Sequence, residues 1–491
     1  MQIEAIVCID AANGLSRSGG VLPWAGTSEG KSDMQFVRQK TLMVAPGKKN
    51  ILIVGHNTYK TLPEAFLRGT SVREIYLLSS SANAIASATT FSCPRALYAA
   101  LLDRYYTQGD IDHVFVFGGG QIYQYFLAQR WIHTFYVTQI HRTYDGCDGC
   151  DGCDVFFPMA LLVEAYDVAS TCHSTAHSTL TVWVRKAHPE YAYLDLLQKT
   201  YYTGQVRTTR NGDGDTRSCF GAALEFDVAQ FGFPLLTTKK MFFKGIAEEL
   251  CWFLRGDTDA THLQQKGVRI WDGNTLRAAL DQRGLTEYAE GTAGPIYGFQ
   301  WRHFNAPYSY SCEKKEEEKK EKEEEKQDLP FETERDQLFA CLKLLKEDPH
   351  SRRILFSAWN PLQLDEMCLP PCHVLYQFYV SNNVLSCQMY QRSADLFLGL
   401  PFNIASTALL THLFAHLAGG GMTVGTVRIN IGDAHIYGAH TECVRQQLLR
   451  APHPFCRLDM KSKNKLEDFE ATDFVLQNYT SHGALKAPML A

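Results

Sequence analysis

No apolar run in the 491 residues reaches the 18 or so positions needed to cross a bilayer as a helix. The stretch FLGLPFNIASTALL is interrupted by Pro401 and Asn403, so no membrane span is expected. A dominant charge is lacking too. Lys and Arg number 48 against 53 Asp and Glu, leaving a net charge of -5 and no local basic stripe, so neither nucleic acid nor anionic membrane is expected as a partner. The opening MQIEAIVCIDAANG has no basic region followed by a small-residue cleavage site. It reads as a buried first strand, Ile3 to Ile9, and no secretory leader is expected. The 15 cysteines form no disulfide-like framework, which points to a reducing compartment, the cytosol.

What is present is the material of a globular protein, 45% hydrophobic and 21% charged, in a chain long enough for two domains or more. The apolar, β-rich segments IEAIVCI, NILIVG, EIYLLSS, HVFVFGG and TFYVTQI alternate with helix-like or turn stretches over the first 185 residues. Strands covered on both faces read this way, which predicts an α/β domain with a central, mostly parallel sheet. TLTVWVRK is expected as a last, antiparallel edge strand. The seam falls near Ala187-His188-Pro189-Glu190, with Pro189 suited to the first turn of a helix EYAYLDLLQKTYYTG. The division expected is 1–186, a short linker and helix start at 187–196, and an α+β domain at 197–491.

Two segments look inserted. DGCDGCDGC at 145–153 repeats a tripeptide; Cys147, Cys150 and Cys153 fall short of a closed four-ligand zinc site, so a surface hairpin is expected and no metal. EKKEEEKKEKEEEK at 313–326 holds eight Glu and six Lys without an apolar face, and reads as a solvated run.

In LPPCHVLYQFYV, two prolines fix the approach of Cys372 to a strand, while arginines concentrate in DPHSRRILFSAWNP and QMYQRSADLFLGLPFNIAS. A thiol beside guanidinium groups can act as a nucleophile, and adjacent arginines suit an anion. These stretches, with FPLLTTKKMFFKGIAEELCWFLRGDT, GVRIWDGN, GPIYGFQWRHF and GDAHIY, resemble thymidylate synthases over residues 188–491. The resemblance implies reductive methylation of dUMP by 5,10-methylenetetrahydrofolate, with Cys372 as the nucleophile adding to C6 of uracil. It implies Arg392 and Ser393 on the phosphate, Arg392 also favouring the Cys372 thiolate, and Arg352 and Arg353 reaching the same phosphate from the other subunit of a homodimer. It implies Asn403 on the uracil, His435 and Tyr437 on the sugar, and Glu249 organising water for proton transfer. Trp271, Asn274, Tyr297 and Asp395 would line the remaining base and folate pocket. Arg210 fits the start of the phosphate loop, although TRNGDGDTRSCFG carries an extra residue before Ser218 and two aspartates unfavourable to an anion.

In the first domain, FVFGGGQIY places three glycines between a strand and a helix, a turn able to approach a diphosphate, and Asp33 lies in KSDMQFVRQKT. Met34, Val37 and Phe36 are expected toward the core. With IVCIDAANGLSRSGGVLPW, NILIVGHNTYKTLP, REIYLLSS and DVFFP, these segments resemble dihydrofolate reductases over 1–186. The resemblance implies Asp33 on the pterin, Trp24 and Phe36 in the pocket, Arg73 on the folate α-carboxylate, and Thr58, Gly118, Gly119 and Gly120 on NADPH. His56 stands where Arg or Lys often meets the extra phosphate of NADPH. Val155 is matched to a threonine that hydrogen-bonds the pterin-binding acid.

The whole chain thus resembles the fused dihydrofolate reductase–thymidylate synthase family. The synthase would release dihydrofolate and the reductase would restore it with NADPH. The competing class is a synthase carrying an inactive reductase-like interaction domain.

Overall fold

The computed structural model describes residues 1–63, 66, 71–79, 88–145, 152–208, 214–309 and 334–490. Arg210, Cys147, Cys150 and the charged run at 313–326 lie outside them. The chain forms two compact units, Met1–Ala187 with Leu449–Ala451, and His188–Leu448 with Pro452–Ala491.

In the first unit, β1 (Ile3–Ile9), β3 (Lys49–Gly55), β4 (Arg73–Leu78), β6 (Ile111–Val116) and β7 (Thr134–Ile140) are the five apolar runs read from sequence. Both of their faces are covered, and the inner ones are almost wholly buried. Besides β2 (Gly14–Ser16), which pairs with β8 (Val155–Phe156), the unit adds β5 (Thr89–Phe91), β9 (Tyr166–Ser174) and β10 (Ser178–Arg185). The main sheet runs β5-β4-β3-β6-β1-β7-β10-β9. It is parallel from β5 to β7, then antiparallel at β10 and β9. The expectation of β10 as the edge strand is corrected: β9 takes the edge. β9 is polar and exposed along both faces after Tyr166, so it lacks the alternation that marks a strand and is formed by its hydrogen bonds to β10.

The second unit begins with the helix Glu190–Thr203 directly after Pro189. Its six-stranded sheet contains β11 (Gln205–Thr208), β12 (Asp215–Asp227), β13 (Leu355–Ser357), β14 (His373–Ser381), β15 (Val384–Asp395) and β16 (Thr423–Tyr437). The order is β11-β12-β16-β15-β14-β13, with only β15 and β16 parallel to each other. Alternation divides the faces. Tyr376, Phe378, Leu385, Met389 and Ile429 are buried, and Phe378 stacks on Phe414 of the helix Gly399–Ala418 at 4.7 Å. On the other face Tyr379 is 67% exposed and Tyr390 42%. This is an α+β architecture, as expected. No helix among the described residues is long and apolar enough to cross a membrane.

Candidate active sites

In the first unit the helix Ser28–Leu42 starts at Thr27. The Thr27 hydroxyl accepts from the Gly30 amide at 3.1 Å and donates to the Trp24 carbonyl at 2.9 Å. A Cβ at residue 30 would stand 2.1 Å from that carbonyl, so only glycine lets the helix close on Trp24. Helical spacing puts Gly30, Asp33, Val37 and Thr41 on the buried face. Met34 and Phe36 are half-buried, and Phe36 packs on Tyr136 at 5.6 Å. Oδ1 of Asp33 is buried and meets no hydrogen-bond donor among the described residues. Burial raises its pKa to about 6, against a lowering by the Thr138 hydroxyl.

Arg73 is buried at the far end of the same stripe. It donates to Thr41 Oγ1 at 3.1 Å and to the Phe66 carbonyl at 2.9 Å, with its guanidinium 4.0 Å from the Phe66 ring. Thr41 lies eight residues beyond Asp33, about 12 Å along the helix. A carboxyl at one end and a guanidinium at the other suit an elongated ligand with N–H groups on its ring and a distal carboxylate.

The three glycines follow β6 and open the helix Gly120–Ala128, whose N-cap Gly119 leaves the amides without a side-chain cap. A Cβ would stand 3.2 Å from the Tyr123 ring at Gly118, 3.2 Å from Thr58 Oγ1 at Gly119 and 3.0 Å from Val155 Cγ1 at Gly120. The turn is therefore a cradle that side chains would fill, with Thr58 and the half-buried His56 beside it on His56–Thr61. These residues fit a dinucleotide phosphate. The reading of Val155 is corrected: it packs against Gly120, and the hydroxyl that meets Asp33 belongs to Thr138 of β7. That contact joins residues distant in sequence, and its only signal was the threonine within TFYVTQI.

In the second unit Cys372 sits just before β14, half-buried. Its backbone N–H donates to the Tyr297 hydroxyl at 2.7 Å. Arg392 of β15 donates to the carbonyls of Pro370 and Pro371, both at 2.8 Å, and its Nη2 lies 3.9 Å from Sγ of Cys372. Two prolines thus hold the guanidinium against the thiol. Burial nevertheless raises the Cys372 pKa, with Arg392 acting against it. The expectation that Arg392 favours the thiolate has the right sign, but desolvation outweighs it. His373 is no rival base. Buried, stacked on Tyr297 at 4.1 Å and bonded to the Tyr376 hydroxyl, its imidazole has a pKa pushed down to about 3.

Glu249, on the helix Phe243–Leu254, accepts from the Trp271 indole at 2.8 Å, and burial raises its carboxyl to about 7 against that bond. Trp271 meets Tyr297 edge to face at 5.9 Å, and Asn274, half-buried, donates its backbone N–H to the Trp271 carbonyl at 3.1 Å. Gln391, not singled out from sequence although adjacent to Arg392, donates to Asn403 Oδ1 at 2.9 Å and to the Ser393 carbonyl at 3.0 Å. The parallel register pairs Ser393 with Asp433 and Asp395 with His435, while β12 pairs Ser218 with His435. Asp433 receives Ser218 at 3.1 Å and contacts His435 at 3.1 Å, and His435 meets Tyr437 edge to face at 5.1 Å.

Cys372, Arg392, Tyr297, Trp271 and Glu249 are thus joined contact by contact. Arg352 and Arg353 stand apart, exposed before the edge strand β13 and without an ion-pair partner among the described residues.

The dihydrofolate reductase family model matches residues 2–182, and the thymidylate synthase family model matches 191–491. The bifunctional dihydrofolate reductase-thymidylate synthase of Leishmania major is 36% identical over 517 residues, spanning 99% of this chain and 94% of that protein. This chain belongs to the bifunctional dihydrofolate reductase–thymidylate synthase family. The Glycine max protein of the same name is 36% identical, covering 94% of this chain and 90% of its own length. That of Paramecium tetraurelia is 43% identical over 324 residues, 66% of each chain. Membership makes the chain a multifunctional enzyme of nucleotide biosynthesis, with the glycine cradle belonging to a reductase unit that takes NADPH.

Proposed function

We propose that the second unit methylates dUMP through a covalent intermediate on Cys372 and that the first reduces the dihydrofolate released. The observation that carries the synthase reading is the contact of the Cys372 thiol with Arg392, a guanidinium held by two proline carbonyls. Burial raises the thiol's pKa and Arg392 opposes that rise. Sγ then bonds to C6 of uracil and the C5–C6 electron pair moves onto C5, making it nucleophilic enough to take the methylene of 5,10-methylenetetrahydrofolate. The bonds of that methylene to the two folate nitrogens break and C5 gives up its proton, leaving a methylene group on C5; the tetrahydrofolate then gives this carbon a hydride, the C6–S bond breaks to release the Cys372 thiolate, and dihydrofolate leaves.

Asn403, held by Gln391, reads the uracil; Ser393 and Arg392 hold the phosphate with Arg210; and His435 and Tyr437 hold the sugar. Glu249 moves protons through water, a role its pKa of about 7 suits. Trp271, Asn274, Tyr297 and Asp395 complete the base and folate pocket.

In the reductase unit Asp33 binds and protonates the pterin, Trp24 and Phe36 enclose it, and Arg73 takes the folate α-carboxylate. The Gly118–Gly120 turn, Thr58 and His56 hold NADPH, which when bound supplies the hydride. The Thr138 hydroxyl beside Asp33 supports an active reductase over a retained interaction domain.

Arg352 and Arg353 act across a homodimer. The open face of the six-stranded sheet carries exposed Tyr379 and Tyr390, and a concavity of about 620 Å³ there is bordered by Arg352, Tyr379 and Arg428. A second copy packed on that face would bring each arginine pair toward the other's phosphate site.

Mass spectrometry of the enzyme treated with 5-fluoro-dUMP and methylenetetrahydrofolate tests the chemistry. The adduct is expected on the peptide containing Cys372, and an adduct on another cysteine would overturn the assignment.

A further inference from the structure

Asp433 brings a carboxylate to the nucleotide site, and the mechanism above gives it no role. Alternation along β16 puts Asp433, His435 and Tyr437 on one face, with Ala434 and Ile436 buried on the other. The register with β15 makes Asp433 the neighbour of Ser393, read above as a phosphate ligand. An unpaired carboxylate at that position would repel the nucleotide. Its oxygens are instead divided between partners. Oδ2 accepts from the Ser218 hydroxyl at 3.1 Å and from Nη1 of Arg207 at 3.3 Å. Oδ1 lies 3.1 Å from Nδ1 of His435. The Arg207 side chain is 55% exposed, so solvent screens that ion pair. Ser218 is 4% exposed, and its hydroxyl is the tie that fixes the carboxylate.

We propose that Asp433 is a positioning residue of the synthase, holding the His435 proton on Nδ1 so that Nε2 accepts from the free hydroxyl of the nucleotide sugar. The inference rests on the reading that His435 and Tyr437 hold the sugar. A carboxylate can only accept, so the imidazole nitrogen facing Oδ1 carries a proton. In the neutral ring the other nitrogen is then an acceptor. A 2′-deoxynucleoside 5′-phosphate has one free sugar hydroxyl, at the 3′ position. That hydroxyl can donate to Nε2 of His435 while accepting from the Tyr437 hydroxyl, which meets both of its capacities. Asp433 is suited to the task because it stays ionised. The His435 hydrogen bond, helped by Ser218 and Arg207, holds its carboxyl below the ordinary range against the effect of burial.

Equilibrium binding of two nucleotides to the full chain tests this, dUMP and 2′,3′-dideoxyuridine 5′-phosphate, which differ only in the 3′-hydroxyl. The wild type should bind dUMP about tenfold more tightly, the worth of one good hydrogen bond. Asp433→Asn keeps the size of the side chain and an acceptor for Ser218. Its amide can also present N–H to Nδ1, which turns the ring to the Nε2–H form. The preference for dUMP should then fall below about twofold, because dUMP affinity drops while dideoxynucleotide affinity does not.

A purely structural role for Asp433 would weaken both nucleotides equally and leave the preference intact. A wild-type preference retained in Asp433→Asn therefore overturns the positioning role alone. If the wild type itself shows no preference, His435 and Tyr437 are not on the sugar and the reading beneath the proposal fails. Should Asp433→Asn fail to fold, Ser218→Ala frees Oδ2 instead. It should lower the preference to about threefold, and an unchanged preference would overturn the proposal.

Discussion

Asp33 is costly to fold around. Its carboxyl has a pKa of about 6 in the native pocket against an ordinary value of 3.8, so the native state holds the proton more tightly than the unfolded chain does. The charge therefore opposes folding. The penalty is absent below about pH 4, grows between the two pKa values and is complete above about 6. Asp33→Asn should stabilise the protein above pH 6 by on the order of 1–3 kcal/mol, a gain that calorimetry should show fading below pH 4. The same variant should lose most dihydrofolate reduction with little change in NADPH affinity. In the wild type, kcat/KM for dihydrofolate should fall as pH rises through about 6, because the protonated carboxyl is the acid. A variant with normal turnover and unchanged stability would remove Asp33 from the pocket. At His56 the change is of another kind, since an imidazole stands where a guanidinium would bring a fixed charge and a bidentate donor pair. His56→Arg should tighten NADPH binding several-fold, by about 1 kcal/mol, with NADH unaffected. Equal effects on both cofactors would show that the extra phosphate lies elsewhere.

At the scale of elements, the reductase pocket depends on how the helix Ser28–Leu42 is docked. A methyl group at residue 30 would stand 2.1 Å from the Trp24 carbonyl, with backbone on both sides and no flexible side chain to yield. Gly30→Ala must displace either the helix start or Trp24. It should cost about 2 kcal/mol or more, and the displacement should weaken dihydrofolate binding at least tenfold. Titration of tryptophan fluorescence with dihydrofolate would read it directly, and native affinity with native stability would contradict this docking. In the synthase sheet the divided faces have a parallel consequence. One face is committed to the helix Gly399–Ala418, while the other carries exposed aromatics for which the proposed dimer supplies a partner.

For the whole molecule, the proposed dimer makes the phosphate site a property of two chains, and subunit mixing tests it. Cys372→Ser homodimers should be inactive, and Arg352→Ala/Arg353→Ala homodimers should bind dUMP poorly. A heterodimer has one site that combines a native Cys372 with the arginines of the cysteine variant, while its other site carries both defects. Equal mixing under conditions of subunit exchange should recover roughly a quarter of native synthase activity. Demonstrated heterodimers without recovery would place the arginines in their own subunit's site. Reductase activity should not change on mixing, since no reductase residue is altered.

The amino-acid sequence alone determined what is local and contiguous. Five strands were legible because burial on both faces demands unbroken apolar runs, and the segments around Cys372, Arg392, Glu249 and Asp33 were legible as compact strings of residues. Strand β9 was not, because its polar, exposed residues carry no periodicity and owe their conformation to pairing with β10. Nor were the contacts of Thr138 with Asp33, Gln391 with Asn403, or Asp433 with Ser218, which depend on which strand and helix residues meet. The sign of Arg392's effect on Cys372 could be argued from charge. Only the tertiary structure decided that burial outweighs it, because desolvation depends on everything packed around the thiol and Coulomb attraction on one neighbour.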